Sequence, residues 1–223
     1  MSVQDASDPV MKAVFPALDG FGLSLAPHDL CAKRVMDVAI SLIAILFCLP
    51  IFALVTLAVA LDSRGPILFR QRRAGESGKL FGIYKFRSMH VLEDGTHLVQ
   101  AVKGDPRITR VGRFLRASSL DELPQLFNVL SGEMSLVGPR PHALAHDEFY
   151  SAQIANYRVR HLVKPGITGW AQVHGARGAT SEISDMQRRI DLDAWYVAHE
   201  NVWLDLLILA RTPLEVLRHR NAV

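Results

Sequence analysis

From Val38 to Leu61 the chain runs for 24 residues without a charged side chain, and Pro50 lies near the middle of the run. Fifteen of these residues are Leu, Ile, Val or Phe. At about −0.3 to −0.6 kcal/mol each near a bilayer centre, they favour insertion by roughly 7 kcal/mol in total. A proline inside a helix costs about 3 kcal/mol, so insertion outweighs it. A chain with this segment is expected to place it in a membrane and to build the rest of its fold around it.

The flanks bear on topology. Lys33 and Arg34 precede the run, while Arg64, Arg70, Arg72, Arg73 and Lys79 follow it. Basic residues near membrane ends favour the cytoplasmic side, and here both ends are basic. A kinked spanning helix satisfies one end. A re-entrant helix hairpin broken at Pro50 satisfies both, because each arm of about 18 Å reaches through roughly one leaflet. Proline removes a helix hydrogen bond and crowds the preceding turn, which favours a bend. Backbone groups freed by the bend need partners in a dry medium, and Ser41 and Thr56 are the nearby hydroxyls.

Composition fits one membrane element attached to one globular part: 49% hydrophobic residues and a mean hydropathy of +0.16. A net charge of +3 is too small to signal nucleic acid, and no recognition motif is present. Two cysteines, Cys31 and Cys48, form no disulfide framework. Residues 1–32 read as a leader, 33–61 as the membrane element and 62–223 as the globular part. The leader holds Asp5, Asp8 and Asp19 and lacks a signal-peptide pattern, so the globular part is expected to be cytoplasmic. Ile67–Arg70 and Phe81–Phe86 read as short strands, and two helices are expected within 106–141. Residues 142–161, 182–199 and 202–217 are further helix candidates, which makes the fold class α+β and mostly α. The last of these carries Trp203 and several leucines, is interrupted by Pro213, and ends in Arg218, His219 and Arg220. Such a helix either lies on anionic lipid as an amphipathic interfacial helix or packs into the core.

Three groups of residues could carry chemistry. In Ser118-Ser119-Leu120-Asp121-Glu122-Leu123-Pro124, Ser119 and Glu122 have capping-box spacing and Pro124 marks a helix start. Asp121 and Glu122 therefore sit at a helix N-terminus, where the dipole favours ionised carboxylates. Such carboxylates stabilise the helix, act as nucleophiles or hold a hard divalent cation. Around them lie Lys85, Arg87, Arg107, Arg110, Arg113, Arg116 and Arg140, which are either phosphate ligands or solvated and headgroup charges. Arg140 is stiffened between Pro139 and Pro141. His142 and His146 are spaced for a metal pair on one helix, or for surface and substrate contacts. The glycines of Lys164-Pro165-Gly166-Ile167-Thr168-Gly169-Trp170 suit a tight loop.

Taken together, five stretches carry a resemblance: Lys33-Arg34-Val35-Met36-Asp37, Tyr84-Lys85-Phe86-Arg87-Ser88-Met89, Ser119-Leu120-Asp121-Glu122-Leu123, Gly138-Pro139-Arg140-Pro141 and Lys164 to Trp170. In this order over about residues 33–217, the chain strongly resembles the bacterial sugar transferases, the monotopic phosphoglycosyl transferases. The resemblance implies a monotopic membrane protein of the bacterial cytoplasmic (inner) membrane. It would have a re-entrant helix broken at Pro50 and a small catalytic domain on the cytoplasmic face.

The resemblance also implies roles. Asp121 would be the nucleophile and Glu122 its dyad partner. Lys85, Arg116, Arg140 and Pro141 would handle phosphate, and Asp193 would be a further functional acid. Mg²⁺ would be held at Asp121. The partners would be a UDP-sugar, undecaprenyl phosphate and membrane lipid, not nucleic acid, and the sequence leaves a homo-oligomer open. The implied reaction moves a sugar-1-phosphate onto undecaprenyl phosphate, releasing UMP by way of a covalent aspartyl-phosphosugar, and starts an exopolysaccharide or capsule. The stretches around His142 and Trp170 look most like members that transfer glucose-1-phosphate, with galactose-1-phosphate or an N-acetylated sugar next. A silent scaffold for polysaccharide assembly is the competing reading. Two departures stand out. Leu49 replaces the serine that many members carry before the hairpin proline. Residues 1–32 are also too short for the N-terminal region of larger members, so a minimal catalytic form is expected.

Overall fold

A computed structural model describes residues 27–90, 104–176, 178 and 182–217. The leader up to residue 26 and the basic end Arg218, His219 and Arg220 lie outside the described residues. The apolar run belongs to helix α1 (Pro27–Asp62), 36 residues long. The helical backbone continues through Pro50.

The inward face of α1 explains how it seats. Ser41, Ile45, Cys48, Phe52, Val55 and Val59 alternate at spacings of four and three, and all are buried or half-buried. That is one stripe of a helix, and it keeps its phase across the proline. The opposite face is apolar and open: Ile43, Leu46, Phe47, Leu54 and Leu57 are all exposed, Phe47 at 81%. A helix that is hydrophobic all round, with one face bare, suits lipid contact. Leu30–Asp62 is the one helix among the described residues long and apolar enough to cross a membrane. Ser41 does not relieve the proline: its buried hydroxyl has no hydrogen-bond partner among the described residues.

Two small sheets and six further helices complete the described body. Strand β1 (Leu68–Ala74) pairs antiparallel with β2 (Leu80–Phe86), so that Phe69 faces Lys85. Helices α2 (Arg110–Ser118) and α3 (Gln125–Ser131) follow, joined by a 3-10 turn at Leu120–Glu122. Strand β3 (Ser135–Val137) then runs parallel to β4 (Gly166–Thr168), with Ser135 opposite Gly166. Between them lie α4 (Leu144–Ser151) and a 3-10 turn at Tyr157–His161, so only part of 142–161 is α-helical. Helix α5 (Trp170–Val173), α6 (Ile183–His199) and α7 (Val202–Leu217) close the chain. Pro213 is accommodated inside α7 rather than interrupting it. The fold is thus mostly helical with a little sheet.

The core has three clusters, and α1 enters two of them. Ile45 packs with Phe81, Ile83, Val129, Val137, Tyr196 and Ile208. Val55 and Val59 pack with Phe86 and Leu115. Both arms of α1 therefore belong to the core of the globular part.

Several flanking charges are also structural rather than headgroup-facing. Lys33 is only 8% exposed and donates to the Val137 carbonyl at 3.1 Å and the Tyr196 hydroxyl at 3.2 Å, and it pairs with Glu200 at 3.4 Å and with Asp205. Arg34 donates to the Val129 and Leu130 carbonyls at 2.6 and 2.8 Å, closing the end of α3, where cations offset orphan carbonyls. Arg87 does the same for the end of α1, reaching the Val59, Ser63 and Pro66 carbonyls. Helix α7 packs one face into the core, as the second of its two readings expects: Asp205 and Ile208 are fully buried, while Trp203, Leu206, Leu207 and Leu214 on its other face are exposed, Trp203 at 82%.

Candidate active site

The site forms where the α2–α3 turn meets β2 and the segment after β3. Helix α2 starts with Thr109, whose hydroxyl accepts from the Gly112 N–H at 2.8 Å. It ends at Ser119, held in a left-handed conformation at φ 59°. That reversal turns the chain at once into the 3-10 turn, presenting Asp121 and Glu122 on adjacent positions. The anticipated capping box does not form, because the Ser119 side chain makes no capping hydrogen bond. The Glu122 side chain is spent elsewhere: Lys85 Nζ donates to its Oε1 at 2.9 Å, Arg140 Nη1 to its Oε2 at 2.9 Å, and Arg140 Nη2 to Oε1 as well.

The two carboxylates are both buried, at 6% and 9% exposure, but their electrostatics diverge. Burial pushes the Asp121 carboxyl up to about 6, and the neighbouring Glu122 charge adds to this, while Lys85, Arg116 and Arg140 oppose it. Burial would also raise Glu122, but Arg140 and Lys85 outweigh it and hold that carboxyl well below the usual range. Burial lowers Lys85, with the Glu122 charge opposing. Glu122 in turn raises Arg140. Among the described residues no hydrogen bond ties the Asp121 carboxylate. One member of the pair is thus a fixed counter-ion and the other an unclamped carboxylate facing three cations, the separation of roles expected of an active dyad.

Arg140 is positioned from behind. Its carbonyl accepts from Arg160 Nη2. Arg160 is buried, pairs with Asp193 at 3.2 Å, and also meets His142 Nδ1 and the Tyr157 hydroxyl. The Tyr157 hydroxyl donates to Asp147 at 2.7 Å. Asp193, raised to about 6 by burial, therefore belongs to a layer behind Arg140. His142 lies outside α4 and is wedged between Arg160 and Arg189. Burial, reinforced by those two charges, drives its ring well below the usual range and keeps it neutral. The one-helix metal pair with His146 is thus not built. Among the described residues no group of three or more metal-ligating side chains occurs.

The glycines of the 164–170 loop serve the same positioning. A Cβ on Gly166 would stand 2.1 Å from the Gly138 nitrogen, and one on Gly138 would stand 2.3 Å from the Lys164 carbonyl. Only bare backbone lets β3 and β4 approach this closely beside Arg140. Of the other basic candidates, Arg116 acts on Asp121 electrostatically. Arg107 pairs with Asp105 at 2.7 Å, and Arg110 and Arg113 are exposed on α2 next to the exposed Phe114. No local sequence pattern marks Arg160 or Tyr157, and the flank position and motif that mark Lys33 do not reveal its interior role, because its partners Val137, Tyr196, Glu200 and Asp205 lie far along the chain.

A cavity of about 240 Å³ adjoins the dyad, with walls from α1 (Ala44, Cys48), the dyad segment (Glu122, Leu123) and α7 (Thr212, Val216). Its lining is mostly apolar.

The chain is similar to several known proteins. A 191-residue stretch covering 85% of the chain is 53% identical to a UDP-glucose:undecaprenyl-phosphate glucose-1-phosphate transferase of Caulobacter vibrioides, and it spans 71% of that protein. A protein of the same description from Escherichia coli is 49% identical over 88% of the chain, which spans 42% of its length. An undecaprenyl-phosphate galactose phosphotransferase of Salmonella typhimurium is 40% identical over 85% of the chain and 41% of its own length. Residues 28–219 match the family described as bacterial sugar transferase, and with nearly the whole described body inside that match, the chain belongs to that family.

Proposed function

We propose that the chain is a phosphoglycosyl transferase that moves glucose-1-phosphate from UDP-glucose to undecaprenyl phosphate, releasing UMP and initiating an exopolysaccharide. The observation that carries this reading is the division of labour at the dyad. Glu122 is locked between Lys85 and Arg140, leaving Asp121 buried, unclamped and surrounded by positive charge. The names of the relatives at 53% and 49% identity support glucose as the sugar, while the galactose-named relative stands at 40%.

The chemistry follows from that division. An ionised Asp121 oxygen attacks the β-phosphorus of the UDP-sugar. The bond from that phosphorus to the bridging oxygen breaks, and UMP leaves with the electron pair. An oxygen of undecaprenyl phosphate then attacks the same phosphorus and frees the Asp121 carboxylate. Two displacements let a soluble and a membrane-bound substrate react in turn at one site. Lys85, Arg116 and Arg140 offset the charge gathered on the phosphoryl oxygens. Pro141 stiffens the backbone beside Arg140, and Asp193 acts through Arg160 to hold it. The donor set also fits Mg²⁺: no cage of protein ligands exists among the described residues, but Asp121 offers an untied oxygen, and magnesium commonly completes its shell with substrate phosphates and water. Bound there, the ion would neutralise and orient the diphosphate.

For topology, α1 bends at Pro50, whose missing N–H weakens the helix there, and so enters and leaves the bilayer on one face, the cytoplasmic one. What supports this is that Lys33 near one end and Val59 near the other both fasten to the same globular body. The experiment uses the full chain in nanodiscs with undecaprenyl phosphate, Mg²⁺ and a panel of UDP-sugars, scored for UMP. UMP should appear with UDP-glucose and vanish in Asp121→Asn. Full activity in that variant would overturn the reading.

A further inference from the structure

The cavity beside the dyad has a composition that catalysis alone does not require. A site handling only a nucleotide diphosphate and a sugar would be polar, yet this one is lined mostly by apolar surface. Its walls come from four places that are distant in the chain: the middle of α1, the segment carrying Glu122, the β4–α5 segment with Ile167 and Val173, and the final turns of α7. Glu122 and Leu123 at one wall are one member of the dyad and its neighbour, while Ala44 and Cys48 at another belong to the helix that carries the bare apolar surface. The cavity therefore runs from the apolar element that enters the membrane to Glu122, the residue next to Asp121.

We infer that this cleft seats the first isoprene units of the acceptor lipid and thereby aims its phosphate at Asp121. The inference rests on the reading of the chain as an undecaprenyl-phosphate transferase, and it names a subsite that reading leaves open. A polyisoprenyl phosphate is apolar up to its phosphate, so a chain threaded between α1 and α7 delivers its one charged end to the cationic ring of Lys85, Arg116 and Arg140. A volume of about 240 Å³ equals roughly eight water volumes. That suffices for the head-proximal part of the chain and leaves the remainder in the bilayer. The cleft thus selects the acceptor by the branched hydrocarbon next to its phosphate.

Two measurements on the full chain in nanodiscs test this. Ala44→Phe fills the cleft from the α1 side. It should raise the KM for undecaprenyl phosphate at least tenfold while leaving the KM for UDP-glucose within twofold. Equal effects on both substrates, or none on either, would overturn the inference. The second measurement needs no cavity-filling variant. In a Cys31→Ser background, Cys48 is the sole thiol, and undecaprenyl phosphate should slow its alkylation several-fold relative to nanodiscs of phospholipid alone. Equal protection by a matched amount of added phosphatidic acid would mark a general acyl groove and refute a seat for the isoprenyl chain. If the unmodified protein releases no UMP from any UDP-sugar, the functional reading fails on its own, and the alkylation result still decides what occupies the cleft.

Discussion

Lys33→Met removes one charge from a position that topology rules would place at the lipid headgroups, and the structure makes the consequence large. Lys33 is nine-tenths buried, and its ammonium serves Asp205, Glu200, the Tyr196 hydroxyl and the Val137 carbonyl together. Asp205 is fully buried. Methionine preserves the shape of the stem but leaves two interior carboxylates without their cation. Breaking a buried pair from one side costs about 3–5 kcal/mol, which multiplies the unfolded fraction by roughly a hundred- to a few-thousand-fold.

The loss carries a pH signature. Burial already raises the Asp205 and Glu200 carboxyls, with the Lys33 charge opposing, so removing Lys33 raises both further. A carboxyl whose folded value exceeds its unfolded one destabilises the fold at pH above the folded value, and that penalty disappears below the unfolded value of about 4. Denaturant titration in detergent micelles, where no bilayer orientation exists, should therefore show a deficit that is greatest near neutral pH and shrinks on acidification. Lys33→Met/Asp205→Asn should lose less than the sum of its single variants. A Lys33→Met deficit below about 1 kcal/mol, well under the loss expected on breaking a buried pair, or one that does not change with pH, would refute this account.

Burial places Asp121 at about 6, and the proposed attack needs it ionised, so kcat/KM should fall about tenfold per pH unit below that value, and a pH–rate profile flat between 5 and 7 would contradict the proposed nucleophile. Arg140→Lys keeps the charge but loses the two-pronged grip on Glu122. A hydrogen bond to a charged group contributes about 1.5–3 kcal/mol, so kcat/KM should drop roughly ten- to a hundred-fold with UDP-glucose. Gly166→Ala drives a methyl against the Gly138 backbone at 2.1 Å, and it should cost about 1–3 kcal/mol in denaturation along with most of the activity.

The long apolar helix was legible because membrane insertion depends on composition, which needs no tertiary partner. Phe81–Phe86 was legible as a strand from its short apolar run, and Ile67–Arg70 caught only the first half of β1, because Gln71, Arg72 and Arg73 in its second half carry no apolar pattern. The acidic pair was a different case. Its spacing pointed to a capping box, but the left-handed turn at Ser119 and the clamp from Lys85 and Arg140 redirected Glu122, and only motif order connected the pair with chemistry. Lys33 shows the limit most clearly. Its principal partner, Asp205, is 172 positions away, and near a membrane segment a basic residue reads as a headgroup contact unless that partner is seen. Arg87 misled in the same way, since a guanidinium that closes a helix end and one that grips phosphate look alike until the carbonyls are placed. His142 and His146 had helical spacing, but the helix begins only after His142.

The two halves of α1 lend Ile45, Val55 and Val59 to the interior on which the catalytic turn rests. Cutting the enzyme free of its lipid-facing piece would therefore not yield a smaller, water-soluble catalyst. It would remove supporting beams from under Leu115, Phe86 and Val129, and the expected product is an insoluble fragment. Inhibitor discovery against this protein accordingly has to begin with the whole chain in a lipid or detergent setting.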